Sequence, residues 1–452
     1  MAAELPQTQF TALVTGANSG LGFAIACRLI TEFLETRPLS ETLILIVTTR
    51  STRKSDDTVS RLQLHVDRTV RKSRGQSSEK ERPYEYARIK LKSEIVDLTS
   101  IISVQQLAQR LQESAHKIDT LILNAGIGGW TGVNWLNAVW TVSTDWVHAT
   151  TWPTMKIAGK GWLAKPQLAG QADGKATTSS EQRQAPGQED VELPLGEVFT
   201  ANVFGHYLLA HYTMPLLSTT AANGISGKII WISSIEAHAR ALNLDDFQAL
   251  DSHEAYESSK RVTDILALTY GMPATRPWVS QFTSTVNDSS EPKNTSPPKM
   301  YVTHPGVCGT AIFPLPYLLN FLMTLTFYVS RWLGSPWHTC DPYLGATAAV
   351  WIALTPQSQL DATEERDGIG KWGVATDRLG NERVAKTEVE GWGWGGRVGE
   401  PKRKGRKRGV QDLTEEQREG FVELGRDVWR RMEEMRNEWE EKLPPARWGL
   451  KL

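Results

Sequence analysis

Residues 253–261, HEAYESSKR, place Tyr256 four positions before Lys260. In a helix, positions i and i+4 share a face, so a phenol and an ammonium would stand one turn apart. A phenol with its ordinary pKa of about 10 is a slow proton donor at neutral pH. A cation beside it stabilises the phenolate and lowers that value, which makes the pair fit for acid–base work. Alone the pair carries little, because Tyr–Lys neighbours are common on solvated helix faces. What it does depends on the groups that other elements bring to it.

Those elements follow an alternating rhythm. FTALVTGANSGLGFAIACRLI (10–30) opens with a short apolar run, turns through glycines and continues as a helical pattern. TLILIVTTR (42–50) is a β-branched run that predicts a buried strand. RIKLKSEIVDLT (88–99), IDTLILNAG (118–126), GKIIWISS (227–234) and KMYVTHPG (299–306) predict four more. Helical patterns fall at 19–34, 100–115, 197–217 and 256–271. Strands alternating with helices predict an α/β fold with a doubly wound parallel sheet and helices on both faces. Three segments break the rhythm and are expected as polar or flexible insertions: 51–86, 130–195 and 282–298. With them, one domain is expected over 1–395. Residues 396–452 add a basic run, RVGEPKRKGRKRG, and a charged helix over 413–443 with Thr414 as its N-cap.

The glycine turn, TGANSGLG, holds Gly16, Gly20 and Gly22, with Asn18 and Ser19 between the first two and Leu21 between the last. Its G-x3-G-x-G spacing differs from G-x-G-x-x-G, but the physics is shared. Glycines admit a pyrophosphate close to the backbone, and the helix N-terminus offers free N–H groups and a positive dipole end. An ordinary tight turn is the plainer reading. The end of the second strand then bears on cofactor choice. Sites for NAD hold an acidic residue there. Here the chain runs Thr49-Arg50-Ser51-Thr52-Arg53-Lys54, with no carboxylate before Asp56. Guanidinium groups suit a 2′-phosphate, so NADPH is expected, with a solvated basic loop as the alternative.

Six motifs in order carry a resemblance: TGANSGLG, NAG (124–126), NVFGHYLL (202–209), IIWISS (229–234), Tyr256-x-x-x-Lys260 and HPG (304–306). Together they resemble the short-chain dehydrogenase/reductases over roughly residues 8–355, which implies a Rossmann-like sheet. NVFGHYLL, YESSKR and HPGVCGT are further similar to the fungal 3-keto-sterol reductases of ergosterol synthesis. That resemblance implies NADPH-dependent reduction of the 3-ketone left after removal of a C4 methyl group. It also implies work at the endoplasmic reticulum membrane and lipid droplets, beside the other C4-demethylation enzymes. Reducing a ketone requires a hydride on carbon and a proton on oxygen. The resemblance makes Tyr256 the proton donor and Lys260 its tuner and a contact of the nicotinamide ribose. It makes Ser234 the hydroxyl that holds the carbonyl oxygen, with Ser233 as rival, and Asn202 a proton relay through water to Lys260. One departure stands out: Ser234 and Tyr256 are 256 − 234 = 22 residues apart, nearer twice the usual spacing, so ALNLDDFQALDSH must loop out. By the same resemblance the Leu21 backbone lies near the pyrophosphate and Asp97 meets the adenine amino group. Asn124 and Gly126 border the adenine ribose, and Val307 and Thr310 contact the carboxamide and phosphate ends. Asp97 could equally cap the next helix, with Thr99 competing.

The apolar run YLLNFLMTLTFYVS (317–330) has no charge and ends at Arg331. It is short of the roughly 20 residues a bilayer span needs. An apolar lid over the substrate, a monotopic membrane contact, or both are expected of the segment 314–334. The basic run at 397–409 would add attraction to anionic lipid, or serve only as a solvated linker. A formal net charge of −1 gives the chain no bulk preference for nucleic acid. Cys27, Cys308 and Cys340 are scattered and lack metal spacing, so a reducing compartment without a disulfide framework is expected. The start, MAAELPQTQF, has no basic cluster or long apolar run, and no secretory leader is expected. Other lipophilic carbonyls, such as a 17-ketosteroid or a retinoid, need the same apolar pocket. A non-catalytic scaffold or redox sensor on this fold would tend to lose Tyr256 or Lys260, and both are present.

Overall fold

The computed structural model describes residues 8–72, 82–115, 117–167, 192–220, 226–284, 295–310, 312, 317–400 and 403–443. Its centre is one sheet of β1 (Thr8–Val14), β2 (Glu41–Thr49), β3 (Ile89–Ile95), β4 (Thr120–Leu123), β5 (Lys228–Ile232), β6 (Lys299–His304), β7 (Lys371–Thr376) and β8 (Glu382–Thr387). The spatial order is β8-β7-β6-β5-β4-β1-β2-β3. All neighbours are parallel except β7 and β8, which form an antiparallel edge. The order reverses between β1 and β4, where an open α/β sheet leaves a crevice beyond the strand ends.

The inner strands are covered on both faces, so they are near-continuous apolar runs, whereas the edge strands β3 and β8 keep exposed polar positions. Successive side chains nevertheless serve different cores. Ala12, Val14, Ile122 and Ile230 pack with helix α1 (Gly20–Thr36) and its neighbours. Leu13, Leu121, Ile229 and Trp231 pack on the other side. There they meet α3 (Ile101–Ser114), α4 (Glu197–Tyr212) and α5 (Ala255–Thr269). The predicted strands and helices are all present, a few residues shorter or longer at their ends.

Three findings depart from the expectations. Residues 51–86 are mostly helical: α2 (Thr52–Lys72) buries Leu62, Val66 and Val70, an i, i+4 stripe hidden among charged neighbours. Residues 130–167 of the second insertion fold into a hairpin (Trp130–Val133 with Lys156–Ala158) and two helices (Trp135–Thr144 and Trp146–Thr151). Its low-apolar stretch 168–191 lies outside the described residues. In 282–298, Phe282 is buried and 285–294 lie outside the described residues. Strands β7 and β8 are new as well, since nothing in the sequence reading proposed them.

The apolar run forms α6 (Tyr317–Trp332). The tail helix α7 (Glu415–Lys442) starts at Thr414, whose hydroxyl accepts from the Gln417 N–H while the Gln417 side chain accepts from the Thr414 N–H. Trp429 of α7 packs among Tyr207, Tyr270 and Phe282. The buried Glu433 accepts from the Tyr207 hydroxyl at 2.6 Å and from Arg436 at 2.7 Å.

Candidate active site

A cavity of about 910 Å³ opens beyond the carboxyl ends of β1, β4 and β5. The glycine turn forms one end. Gly16 and Gly20 have φ of +66° and +55°, a left-handed backbone that suits glycine. A Cβ on Gly22 would lie 2.3 Å from the Gly16 carbonyl oxygen, so this glycine closes the turn against the helix. Ser19 is the N-cap of α1, but its side chain makes no capping bond, and no acidic residue occupies the first turn. The helix end is therefore available to an anion. Asn18, Leu21 and Thr49 line the same end, and Thr310 lies against Gly20. Arg50 and Lys54 border the cavity from the exposed side; Arg53 does not, and stays in solvent on α2. These features fit a phosphorylated dinucleotide.

The turn is pinned from behind. Asn124 donates from its amide side chain to the Thr15 carbonyl at 2.9 Å, and its N–H meets the Thr15 hydroxyl at 2.8 Å. The Thr15 hydroxyl also meets His206 Nε2 at 2.8 Å. His206 Nδ1 stands 3.2 Å from the Asn202 carbonyl, which can only accept, so Nδ1 carries the proton and Nε2 accepts from Thr15. Burial holds this imidazole down to about 3, which keeps it neutral. Thr15 and His206 escaped the sequence reading, although both lie inside motifs that it used.

Asp97 lines the cavity and uses Oδ1 to accept from the Thr99 N–H and hydroxyl. It does not cap α3, and neither does Thr99: Ser100 does. The place of Asp97 is on the cavity wall rather than at the helix cap. Gly126 and Val307 line the middle. Asn202 stands one layer behind, inside a π-turn over Thr200–Phe204, an irregularity common at functional sites. Its Oδ1 accepts from the Ile127 N–H at 2.8 Å, and its Nδ2 donates to the Ile127 carbonyl and to Ser259 Oγ, both at 3.0 Å. A Cβ on Gly126 would sit 2.9 Å from that Oδ1, so Gly126 permits the clamp.

The reacting groups meet at the end of β5. Tyr256 and Lys260 are buried, with the Lys260 ammonium 5.7 Å from the Tyr256 ring centre and 2.8 Å from the Ile232 carbonyl. Ser233 and Ser234 point different ways. Ser233 donates to the Lys260 carbonyl at 3.3 Å, which ties strand to helix. Ser234 hydrogen-bonds with Tyr256 and accepts from the Glu236 N–H at 3.2 Å. Of the two, Ser234 is the serine on the side of the phenol. Burial and then the Glu236 carboxylate hold the Tyr256 phenol well above its ordinary range, against the pull of Ser234. Burial and then the Lys371 charge lower Lys260 to about 8, with Asp264 opposing. The site is therefore a neutral phenol beside a buried ammonium, a proton donor with a cation ready for the phenolate.

The walls beyond this centre come from the second insertion, which was expected only as a polar or flexible segment, and from the apolar run, for which a lid over the substrate was among the expectations. Trp135, Ala138 and Val142 of the insertion line one side, and Leu319, Met323 and Phe327 of α6 line the other. The Trp130 ring packs on that of Tyr256, centres 4.8 Å apart and planes tilted by 57°.

No protein-family model matches the chain. It is similar to 3-keto-steroid reductase erg27 of Aspergillus fumigatus, 46% identical over 450 residues covering 96% of this chain and 95% of the relative. It is 39% identical over 473 residues to the 3-keto-steroid reductase of Gibberella zeae, covering 97% and 95%. A solved short chain dehydrogenase/reductase family protein matches at TM-score 0.37 and 18% identity, covering 77% of this chain and 91% of that one; so distant a likeness carries no further conclusion. Identity of the first kind, held across nearly the whole of both chains, places this protein: it belongs to the 3-keto-steroid reductase family.

Proposed function

We propose that the protein reduces a 3-ketosterol to the 3β-hydroxysterol with NADPH, in the C4 demethylation that leads to ergosterol. The observation that carries this is the meeting of Tyr256, Ser234 and Lys260 at the centre of one cavity, whose one end is a phosphate cradle and whose other end is apolar. Arg50 and Lys54 would hold the 2′-phosphate, the glycine turn the pyrophosphate, and Lys260 the nicotinamide ribose. NADPH, when bound, supplies the hydride that the ketone carbon takes. Ser234 holds the ketone oxygen, and Tyr256 gives it a proton. The phenolate left on Tyr256 is stabilised by Lys260. Purified protein with NADPH should turn over a 4-methyl-3-ketosterol in preference to a 17-ketosteroid or retinal. A preference for either of the others would replace the sterol in this reading, and no turnover of any would make the chain a scaffold.

The same reading puts the enzyme at the endoplasmic reticulum membrane and lipid droplets, beside the other demethylation enzymes. No helix among the described residues is long and apolar enough to cross a membrane. Helix α6, at about 1.5 Å per residue, is about 24 Å long against a hydrocarbon core of about 30 Å. It supports a monotopic contact instead, because both its faces are apolar. Leu319, Met323 and Phe327 face the cavity, while Leu318, Phe321 and Leu325 are exposed. Beside the same mouth, the helix Trp135–Thr144 exposes Leu136 (88%) and Trp140 (71%). Apolar surface of this extent at a cavity mouth favours a bilayer that delivers an insoluble sterol. Leu322→Glu with Leu325→Glu should release the protein from liposomes at low and high salt alike. Sterol turnover should fall while a small soluble ketone is still reduced. If unmodified protein never sediments with liposomes, the membrane contact is wrong.

A further inference from the structure

Two ammonium groups, not one, stand at the Tyr256 ring. Lys260 is 5.7 Å from its centre, and Lys156 is 5.5 Å from it. Lys156 belongs to the hairpin of the second insertion and lies 3.9 Å over the Trp130 ring, which itself packs at a tilt against Tyr256. The ammonium is hydrogen-bonded to the Glu236 carboxylate and lies 3.6 Å from that of Glu257. Glu236 is on the loop that carries Ser234, and its N–H donates to the Ser234 hydroxyl. Glu257 follows Tyr256 on α5 and is buried. One side chain from the insertion thus joins the two elements that bear the reacting hydroxyls.

The charges around the phenol explain why it is needed. Tyr256 is faced by Lys260 and Glu257 from its own helix, by Glu236 from the loop after β5, by Cys308 from the loop after β6, and by Lys156 from the hairpin. Burial pushes the Cys308 thiol up to about 12, so it is neutral. Glu254 and Glu236 add negative charge next to Glu257, whose carboxyl burial raises to about 7 against the pull of Lys156. Both Glu236 and Glu257 oppose a phenolate on Tyr256. Lys260 alone would face two carboxylates.

We propose that Lys156 is a positioning residue for proton transfer by Tyr256: it offsets Glu236 and Glu257 and holds them, with Trp130, in the arrangement that lets the phenol lose its proton. This rests on the assigned reductase chemistry, so its test has one arm that needs turnover and one that does not.

In the first arm, the reverse reaction is followed with a 3β-hydroxysterol and NADP+, where Tyr256 must act as the base. In Lys156→Met the rising limb of kcat against pH should move up by about one unit or more, the effect of losing a cation at this range. At neutral pH, kcat should fall about tenfold or more. NADPH binding, read by fluorescence, should stay within a few fold. Lys156→Arg keeps the charge and should restore most of the rate. Adding Glu236→Gln to Lys156→Met should bring the limb back down. In the second arm, carboxylate titration by 13C NMR should show Glu257, assigned with Glu257→Gln, titrating at higher pH in Lys156→Met than in unmodified protein. An unmoved limb, an arginine variant as slow as the methionine one, or a double variant with no recovery would each overturn the proposal. Should no alcohol or ketone turn over even in unmodified protein, the reductase reading fails instead. The titration then decides for Lys156: an unmoved Glu257 overturns it.

Discussion

Lys371 offers the sharpest test of how this site is held. Its ammonium donates to the Ser234 carbonyl at 2.6 Å and to Asp264 Oδ2 at 2.6 Å, and the two side chains are 3% and 1% exposed. Asp264 lies one turn after Lys260 on α5, so the pair ties β7, the strand next to the sheet edge, to the helix and loop that carry the candidate catalytic groups. At 2.6 Å and an effective dielectric constant of about 20, the attraction is on the order of 6 kcal/mol, most of it offset by desolvation. Removing one partner strands the other, which costs about 3–5 kcal/mol. Lys371→Met should therefore lose about 3–5 kcal/mol in urea unfolding. Adding Asp264→Leu should recover stability to within about 1 kcal/mol, since an apolar pair of similar volume replaces the charges. Activity should not recover with it, because the Ser234 carbonyl has still lost its donor. The assay is a set of urea curves on the four chains with kcat measured on each. A single variant costing under about 1 kcal/mol, as exposed pairs do, would refute the argument. So would a double variant that regains full activity.

Tyr256→Phe should abolish ketone reduction while NADPH affinity stays within a few fold; substantial residual turnover would remove the phenol from the acid role. Arg50→Ala should lower kcat/KM for NADPH by about ten- to a hundredfold, about 1.5–3 kcal/mol for a charge-assisted contact, and leave NADH unaffected. An unchanged cofactor ratio would pass the phosphate to Lys54. Ser234→Ala should lower kcat far more than Ser233→Ala, because only Ser234 meets Tyr256. Lys260 sets two opposite pH trends. Its folded value is about 8, below the ordinary value of 10.5, so between them the unfolded chain binds more protons and this group's contribution to stability rises with pH. Over the same interval the ammonium is lost, so kcat/KM for NADPH should fall above about pH 8. Parallel urea and rate series at several pH values would show whether the two trends diverge.

The sequence by itself settled what depends on local pattern. Continuous β-branched runs, glycine turns and helical spacing placed β1 to β6 and, α2 apart, the main helices between them, because a strand buried on both faces has little other composition open to it. The spacing of Tyr256 and Lys260 needed only a helix. Of the basic residues after β2 that were expected to meet a phosphate, Arg50 and Lys54 border the cavity and Arg53 turned away into solvent. The stripe Leu62-Val66-Val70 of α2 was legible and went unread among its charged neighbours. Tertiary structure alone decided the rest. Which of two adjacent serines meets the phenol depends on how β5 twists against α5. The chain gives no local sign that Lys371 will lie beneath Ser234, since 371 − 234 = 137 residues separate them and β7 must first be laid beside β6. Lys156 and Trp130 lie in a segment whose composition resembles a loop. Their value comes from where the hairpin places them: against a buried phenol, in a low-dielectric site where a single ammonium counts for far more than it would in water.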